Sequence, residues 1–356
     1  MDQLTSTPAL AWGAATDVGR VRTENEDAFV TEPMIFAVAD GMGGHQAGEV
    51  ASAIAATTLR DRLSEGASSV DVAEAAVVEA NAAIFQAAHH NVDQRGMGTT
   101  ITAIVVLADQ GSGARLAVLN VGDSRTYVLR NGRLRRVTLD HSYVQELVST
   151  GHITEAEARN HPRRNIVTRA LGIEPNVRVD KFVLPFVRGD RFVLCSDGLV
   201  DEVDDHEIAA VLAIHASPQA AAEGLVAAAN HNGGRDNITV VVIDSLEGAP
   251  PPADSADLEI DLEWGEIEQP DRLIDAEAGA AEIAEPAVLP DGLDVLPSAP
   301  AAAPERRRFT KGMMLFAISL AAIVVLTVTL LLVVGNDSQD APPTSSTSPS
   351  TATTGG

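Results

Sequence analysis

Four aspartates in this chain share one setting. Asp40, Asp123 and Asp197 each follow an apolar run and stand beside a glycine, in Ala37-Val-Ala-Asp-Gly41, Val121-Gly-Asp123 and Leu194-Cys-Ser-Asp-Gly198, while Asp236 opens the run Ile238 to Asp244. Such runs read as strands buried on both faces, so each carboxylate is delivered to the rim of a core. Glu26 and Asp27 add two more acids just before a short strand. A lone Asp-Gly is ordinarily a turn, but carboxylates crowded at one rim repel unless cations neutralise them. An all-oxygen ligand set favours magnesium, manganese or calcium, and the sequence has neither the cysteine pairs nor the His-x-x-x-His array that suits zinc. Gly41, without a Cβ, would let its carbonyl join the ligands. Two ions about 4 Å apart would bridge a water, lower its pKa and hold it in line with a phosphoryl group. A structural calcium site would also explain the acids, but not Arg22, whose planar fork suits two phosphate oxygens. A surface pair between Arg22 and Glu26 is the simpler alternative for that arginine.

Several elements must position these groups. Ala11 to Asp17 and Ala28 to Thr31 read as short strands around the charged stretch Gly19 to Asp27, and Met34 to Ala39 as the strand that delivers Asp40. Ala47 to Leu63, with Val50, Ile54 and Leu59 three to five residues apart, and Val70 to His90 read as helices. Thr99 to Leu107, Ala114 to Val121, Arg125 to Arg130 and Arg133 to Thr138 are rich in branched residues, with turn signals at Gly111 to Gly113 and Asn131-Gly132; the spacing predicts one antiparallel meander. Ser142 to Gly151 and Thr154 to Asn160 are short helical stretches, the second opened by a Thr154 to Glu157 capping box. His161 to Asn165 is basic and irregular, suited to a lid over an anionic ligand. Val177 to Leu184 and Arg191 to Ser196 read as strands, and Asp204 to Ala216 and Ser217 to Asn230 as helices before the last strand.

The formal net charge of -25 over 356 residues argues against nucleic acid as a partner. About half of it lies between Gly248 and Pro304, where 14 acids face one arginine. The sole cysteine, Cys195, excludes an internal disulfide, and Asp201 stands where a Cys-x5-Arg phosphatase loop needs its arginine, so cysteine-based phosphatase chemistry is excluded. Five segments follow: a catalytic domain over 1–247, an acidic Pro/Ala-rich disordered linker over 248–304, a basic segment over 305–312, a span over 313–334 and a Ser/Thr-rich tail over 335–356. Within the linker, Leu258, Ile260, Leu262 and Trp264 alternate with acids; chance apolar residues in an acidic run are the ordinary reading, and a segment that adds as a strand to a sheet edge is the alternative. Met313 to Val334 carries no charge over 22 residues, about 33 Å as a helix, enough to cross a bilayer. Arg306-Arg-Arg308 and Lys311 precede it and Asp337 and Asp340 follow, so the catalytic domain is expected on the cytoplasmic side of the cell membrane and the tail outside.

Arg22-x-x-x-Glu26-Asp27, Ala39-Asp-Gly-Met-Gly-Gly44, Gly98-Thr-Thr100, Gly122-Asp-Ser-Arg125, Asp140-His-Ser142, Ser196-Asp-Gly198 and Asp236-Asn-x-Thr239 occur in one order. In that order they resemble the metal-dependent protein serine/threonine phosphatases of the PPM or type 2C family, over about residues 9 to 245. The resemblance implies an α+β fold, a four-layer α-β-β-α sandwich with two central antiparallel sheets, here followed by one C-terminal transmembrane helix. It implies hydrolysis of phosphoserine and phosphothreonine in proteins by direct attack of a water bridging two Mn2+ or Mg2+ ions. Asp40 would bridge the pair, the Gly41 carbonyl would bind one ion, and Asp197 and Asp236 would complete the site. Glu26 and Asp27 would act through metal-bound waters, Asp123 would hold a third, weaker ion, and Arg22 would clamp the phosphate. Whole-chain layout resembles membrane-anchored bacterial phosphatases paired with receptor-type serine/threonine kinases; a non-catalytic, membrane-tethered phosphoprotein-binding module on the same fold is the alternative. Two positions depart from the family. Met42 stands where eukaryotic members carry a histidine credited as general acid, and methionine has no proton to give, which leaves metal-bound water or His45. Asn165 stands where bacterial relatives often place a serine beside the third metal. His141, in the Asp-His-Ser motif, reads as a structural hydrogen-bonding residue.

Overall fold

The computed structural model describes residues 9–43, 47–109 and 113–251. In chain order the strands are β1 (Leu10–Asp17), β2 (Asp27–Glu32), β3 (Ile35–Met42), the short β4 (Gly98–Thr99), β5 (Ile101–Leu107), β6 (Arg115–Val121), β7 (Arg125–Arg130), β8 (Arg133–Arg136), β9 (Asp180–Pro185), β10 (Arg191–Cys195) and β11 (Ile238–Ser245). The helices are α1 (Ala47–Leu63), α2 (Val70–His90), α3 (Tyr143–Ser149), α4 (Glu155–Arg159), α5 (Asp197–Val200), α6 (Asp205–Ile214) and α7 (Pro218–Asn232). Side-chain caps hold several helix starts: Ser69 on α2, the reciprocal Thr154–Glu157 box on α4, and Ser217 ahead of Pro218 on α7.

Two antiparallel sheets stack face to face. One has the order β1-β11-β10-β7-β8 and the other β2-β3-β5-β6-β9, with β4 paired to the end of β3. Alternation along the strands builds three apolar layers. On β3, Phe36 and Val38 join Val118, Phe192 and Val241 between the sheets, whereas Ile35, Ala37 and Ala39 face α1 and α2. On β11, Val240 and Val242 face Leu212, Leu225 and Ala229 of α6 and α7. The result is a helix-sheet-sheet-helix sandwich, as the motif order implies.

The expected meander is not formed. β5 pairs with β6 and β7 with β8, but β6 and β7 lie in different sheets. The chain changes sheet at Gly122, whose φ of +108° suits glycine and whose missing Cβ would stand 2.5 Å from Thr100. Asp123 therefore sits at the joint between the sheets, beside rather than along one of them. Among the described residues no helix is long and apolar enough to cross a membrane; Met313 to Val334, like Leu258 to Trp264, lies outside them.

Candidate active site

The same alternation that fills the inter-sheet core brings the acids to its rim. Asp40 continues the Phe36–Val38 face of β3, so its carboxylate emerges between the sheets. β3 runs on through Gly41 to Met42, so Asp40 lies within the strand and not at its end. Its main chain is pinned by the two threonines after Gly98: Asp40 N–H donates to Thr100 Oγ1 (3.1 Å), and Asp40 C=O accepts from Thr99 Oγ1 (2.9 Å) and Thr100 N–H (2.9 Å). Asp27 is the direct cross-strand partner of Asp40.

Gly41 has a steric reason to be glycine that its spacing did not reveal. A Cβ there would lie 2.2 Å from Gly48 O and 2.5 Å from Glu26 O, so β3, the first turn of α1 and the charged segment close around it. Gly48 N–H in that turn hydrogen-bonds the Glu26 carboxylate, a favourable place for an anion at a helix start.

Asp197 opens α5 directly after β10, with Ser196 as its N-cap residue. Asp236 precedes β11 and accepts from Arg22 at 2.7 Å. Arg22 thus pairs with Asp236, not with Glu26.

A cleft of about 260 Å³ gathers Arg22, Glu26, Asp40, Gly41, Asp123, Asp197 and Asp236. Met42 and Asn165 line it as well. Asp27 alone of the expected site residues is not on its wall. It stands behind Asp40, where Oδ2 accepts from Ser196 Oγ (2.9 Å) and Oδ1 is buried without a hydrogen-bond partner. His45 lies outside the described residues. A second cavity of about 510 Å³ shares Asp123, Asn165 and Asp197 with the cleft and extends past Arg136 and Arg164.

Crowding shows in the protonation. Burial, then the charges of Asp197, Asp27 and Asp123, push Asp40 well above the ordinary carboxylate range. Burial, then the charges of Asp123, Asp201 and Asp236, do the same to Asp197. Burial and Asp140 raise Asp123 to about 7, and burial raises Asp27 to about 6 against hydrogen bonds from Thr239 and Ser196. Among the described residues no three such side chains converge on one ready-made ion position, and Arg22 holds Asp236. The donor chemistry nevertheless fits hard divalent cations: carboxylate and carbonyl oxygens only, one buried Oδ1 without a partner, and a cluster whose repulsion positive charge would relieve.

Three supporting residues had no assigned role in the sequence. Asn237 accepts from Glu26 N–H through Oδ1 (2.9 Å) and donates through Nδ2 to Val18 O (3.1 Å) and Glu24 O (2.9 Å), which ties down the segment bearing Arg22 and Glu26. Ser196 accepts from Thr239 N–H (3.0 Å) while donating to Asp27, one hydroxyl bridging the sheets. Arg125 grips Asp140 bidentately (2.9 and 2.6 Å) beneath Asp123. The available signal was a polar residue inside an apolar run, which must find partners once buried. His141 is structural, as its motif suggested. Its Nδ1 accepts from Gly122 N–H (2.9 Å), its own N–H donates to Gly122 O (2.9 Å), and Nε2 faces Asp180 (3.1 Å). The peptide before Asp123 is held from both sides.

A sequence profile of the family described as Protein phosphatase 2C matches residues 20–229. The chain belongs to that family. It is 42% identical over 241 residues to the serine/threonine phosphatase stp of Listeria welshimeri, covering 64% of this chain and 93% of that protein. It is 42% identical over 248 residues to the serine/threonine protein phosphatase PstP of Mycobacterium tuberculosis, covering 68% of this chain and 46% of that one. Among solved structures, the catalytic domain of PstP in complex with two manganese ions matches with a TM-score of 0.59 at 39% identity, covering 67% of this chain and 99% of that chain. The profile match takes in Arg22, Glu26, Asp40, Asp123 and Asp197 and ends before Asp236.

Proposed function

We propose that this phosphatase hydrolyses phosphoserine and phosphothreonine in proteins with two Mn2+ or Mg2+ ions held by Asp40, the Gly41 carbonyl, Asp197 and Asp236. The observation that carries this reading is the convergence of these oxygen donors and Arg22 on one cleft; the two manganese ions of the PstP structure support it. When bound, the ions would supply a bridging water of lowered pKa and neutralise charge on the phosphoryl group. Glu26, held by Gly48, would orient water at the cleft, and Asp123 with Asn165 would serve a third ion. Arg22, half exposed at 49%, is placed to exchange Asp236 for two phosphate oxygens. Asp27 would hold Asp40 in place from behind. Met42 offers no proton, so solvent in the cleft would protonate the leaving oxygen.

The 22 uncharged residues of Met313 to Val334, with arginines before them, support a single-pass anchor with the catalytic domain in the cytoplasm. Tethering would raise the effective concentration near other membrane proteins, which makes receptor-type serine/threonine kinases the first substrates to test. Incubating the protein with a phosphothreonine peptide decides between an enzyme and a binding module. Phosphate release that needs Mn2+ and stops on chelation is expected; retention of the peptide without product would favour the module.

A further inference from the structure

The face that α1 buries is made of alanine, glycine and leucine except at Ser52, whose side chain is wholly enclosed. A buried hydroxyl has to be paired, and alanine would occupy the same place without that need. What the hydroxyl reaches therefore bears on why it is there.

Ser52 Oγ has one proton to donate and two carbonyl oxygens within range. Glu49 O, in its own helix, lies at 3.1 Å, and Glu26 O, on the charged segment before β2, lies at 2.6 Å. The shorter contact takes the proton. A helical hydroxyl ordinarily bonds back to its own helix, as Thr58 of α1 does to Ile54 O at 2.8 Å. Ser52 instead reaches out of the helix.

The oxygen it reaches is shared with the site. Glu26 O also accepts from Gly41 N–H at 3.2 Å. That N–H belongs to the Asp40–Gly41 peptide, whose carbonyl oxygen is held by Thr99 and Thr100. The peptide is planar, so bonds at both edges fix its orientation, and Ser52 steadies the acceptor at one edge. One turn earlier on the same face of α1 stands Gly48, whose N–H bonds the Glu26 carboxylate. A Cβ at Gly48 would lie 2.6 Å from Glu26 Oε1, so only glycine lets the carboxylate come up to the helix. Gly48 and Ser52 thus hold the two ends of Glu26, carboxylate and carbonyl, from consecutive turns, while Asn237 Oδ1 accepts from its N–H.

We propose that Ser52 is a positioning residue for the ion site, whose hydroxyl, through Glu26 O, keeps Glu26 and the Asp40–Gly41 peptide in the arrangement that offers both to a divalent cation. The proposal rests on the reading of Glu26, Asp40 and Gly41 as the wall of the cleft that holds the ions; Ser52 itself does not line that cleft. Without the hydroxyl, Glu26 O keeps only the longer bond from Gly41, and the segment is free to turn its carboxylate away.

The test uses the full chain in detergent as wild type, Ser52→Ala, Ser52→Thr and Thr58→Ala. Calorimetric titration with Mn2+ alone should show about fivefold weaker binding in Ser52→Ala, the worth of one hydrogen bond. Ser52→Thr, which restores the hydroxyl, should recover part of the loss, and Thr58→Ala, which removes a hydroxyl bond inside the same helix, should bind as the wild type does. In the metal-free protein, hydrogen exchange followed by mass spectrometry should quicken at least about fivefold over residues 38–43 in Ser52→Ala and stay unchanged in β5, since only the local hold is lost. Wild-type Mn2+ affinity in Ser52→Ala, or equal weakening in Thr58→Ala, would overturn the proposal. If the added methyl of Ser52→Thr prevents folding, the contrast of Ser52→Ala with Thr58→Ala decides alone. A wild type that binds no Mn2+ would overturn the ion site itself, and exchange then judges Ser52 separately: faster exchange over 38–43 keeps its hold on the segment, and unchanged exchange removes it. Both readouts are independent of phosphatase activity.

Discussion

Asp27 and Asp40 face each other as cross-strand partners on β2 and β3, two carboxylates on the inter-sheet side of one ladder. Like charges in that position are destabilising. A hydroxyl from the opposite sheet, Ser196, takes one oxygen of Asp27, and burial beside Asp197 holds the Asp40 carboxyl well above the ordinary carboxylate range. The pair is the clearest sign that the rim is built for positive charge.

Stability in chelator should therefore fall as pH rises. Asp27 is raised to about 6 and Asp123 to about 7 from an ordinary 3.8. Below about 4 both groups are protonated folded or unfolded; as pH climbs to about 7 the unfolded chain releases protons that the folded one retains, so folding loses stability across that window. Urea denaturation of the wild type and Asp27→Asn at several pH values checks this. The stability of the wild type should drop relative to the variant between pH 4 and 6, and parallel profiles would speak against the shift.

Gly41→Ala should be severe. Its Cβ would meet two backbone oxygens at 2.2 and 2.5 Å, neither of which belongs to a flexible side chain. A loss of about 1–3 kcal/mol is expected from overpacking, read as a lower denaturation midpoint, with weaker Mn2+ binding in calorimetry because Asp40 is the adjacent residue. Wild-type stability and affinity would show that the close approach is relaxed without cost.

Removing Arg22 should act on substrate binding. Its guanidinium is half exposed and ion-paired to Asp236, so Arg22→Ala is expected to leave the melting temperature nearly unchanged and to raise KM for a phosphopeptide about tenfold, the worth of one charge-assisted contact. An unchanged KM would contradict a phosphate clamp at Arg22.

His141 should matter through Gly122. His141→Ala strips the buried Gly122 N–H of its acceptor, at a cost of about 1–3 kcal/mol, and should raise the Mn2+ concentration for half-maximal activity by loosening Asp123. His141→Asn, which can offer an oxygen to the same amide, should recover part of that loss. Equal metal dependence in all three proteins would limit His141 to bulk packing.

Much of this was legible in the chain because it is local. The apolar runs ending in Asp-Gly, the Thr154–Glu157 box and the extents of α1 and α2 each follow from residues within a few positions of one another. The strand pairing was not legible: β6 and β7 look like neighbours in a meander, and only the positive φ at Gly122 and the distant partners β9 and β10 separate them. The same holds for the supports of the site. Asn237 acts on Glu26 and Val18, 211 and 219 residues away, and Arg22 finds Asp236 at a separation of 214. Spacing along the sequence carries no information about such pairs.

Asp40 is the residue on which a divalent-ion phosphatase site in this cleft depends. Phosphate release from a phosphothreonine peptide, titrated with Mn2+ for wild type and Asp40→Asn at matched stability, tests it most directly. Saturable Mn2+-dependent release by the wild type is expected, with a fall of at least about a hundredfold in the variant, in keeping with loss of a main electrostatic contributor. Wild-type release by a folded Asp40→Asn protein, or turnover indifferent to Mn2+ and to chelator, would contradict it.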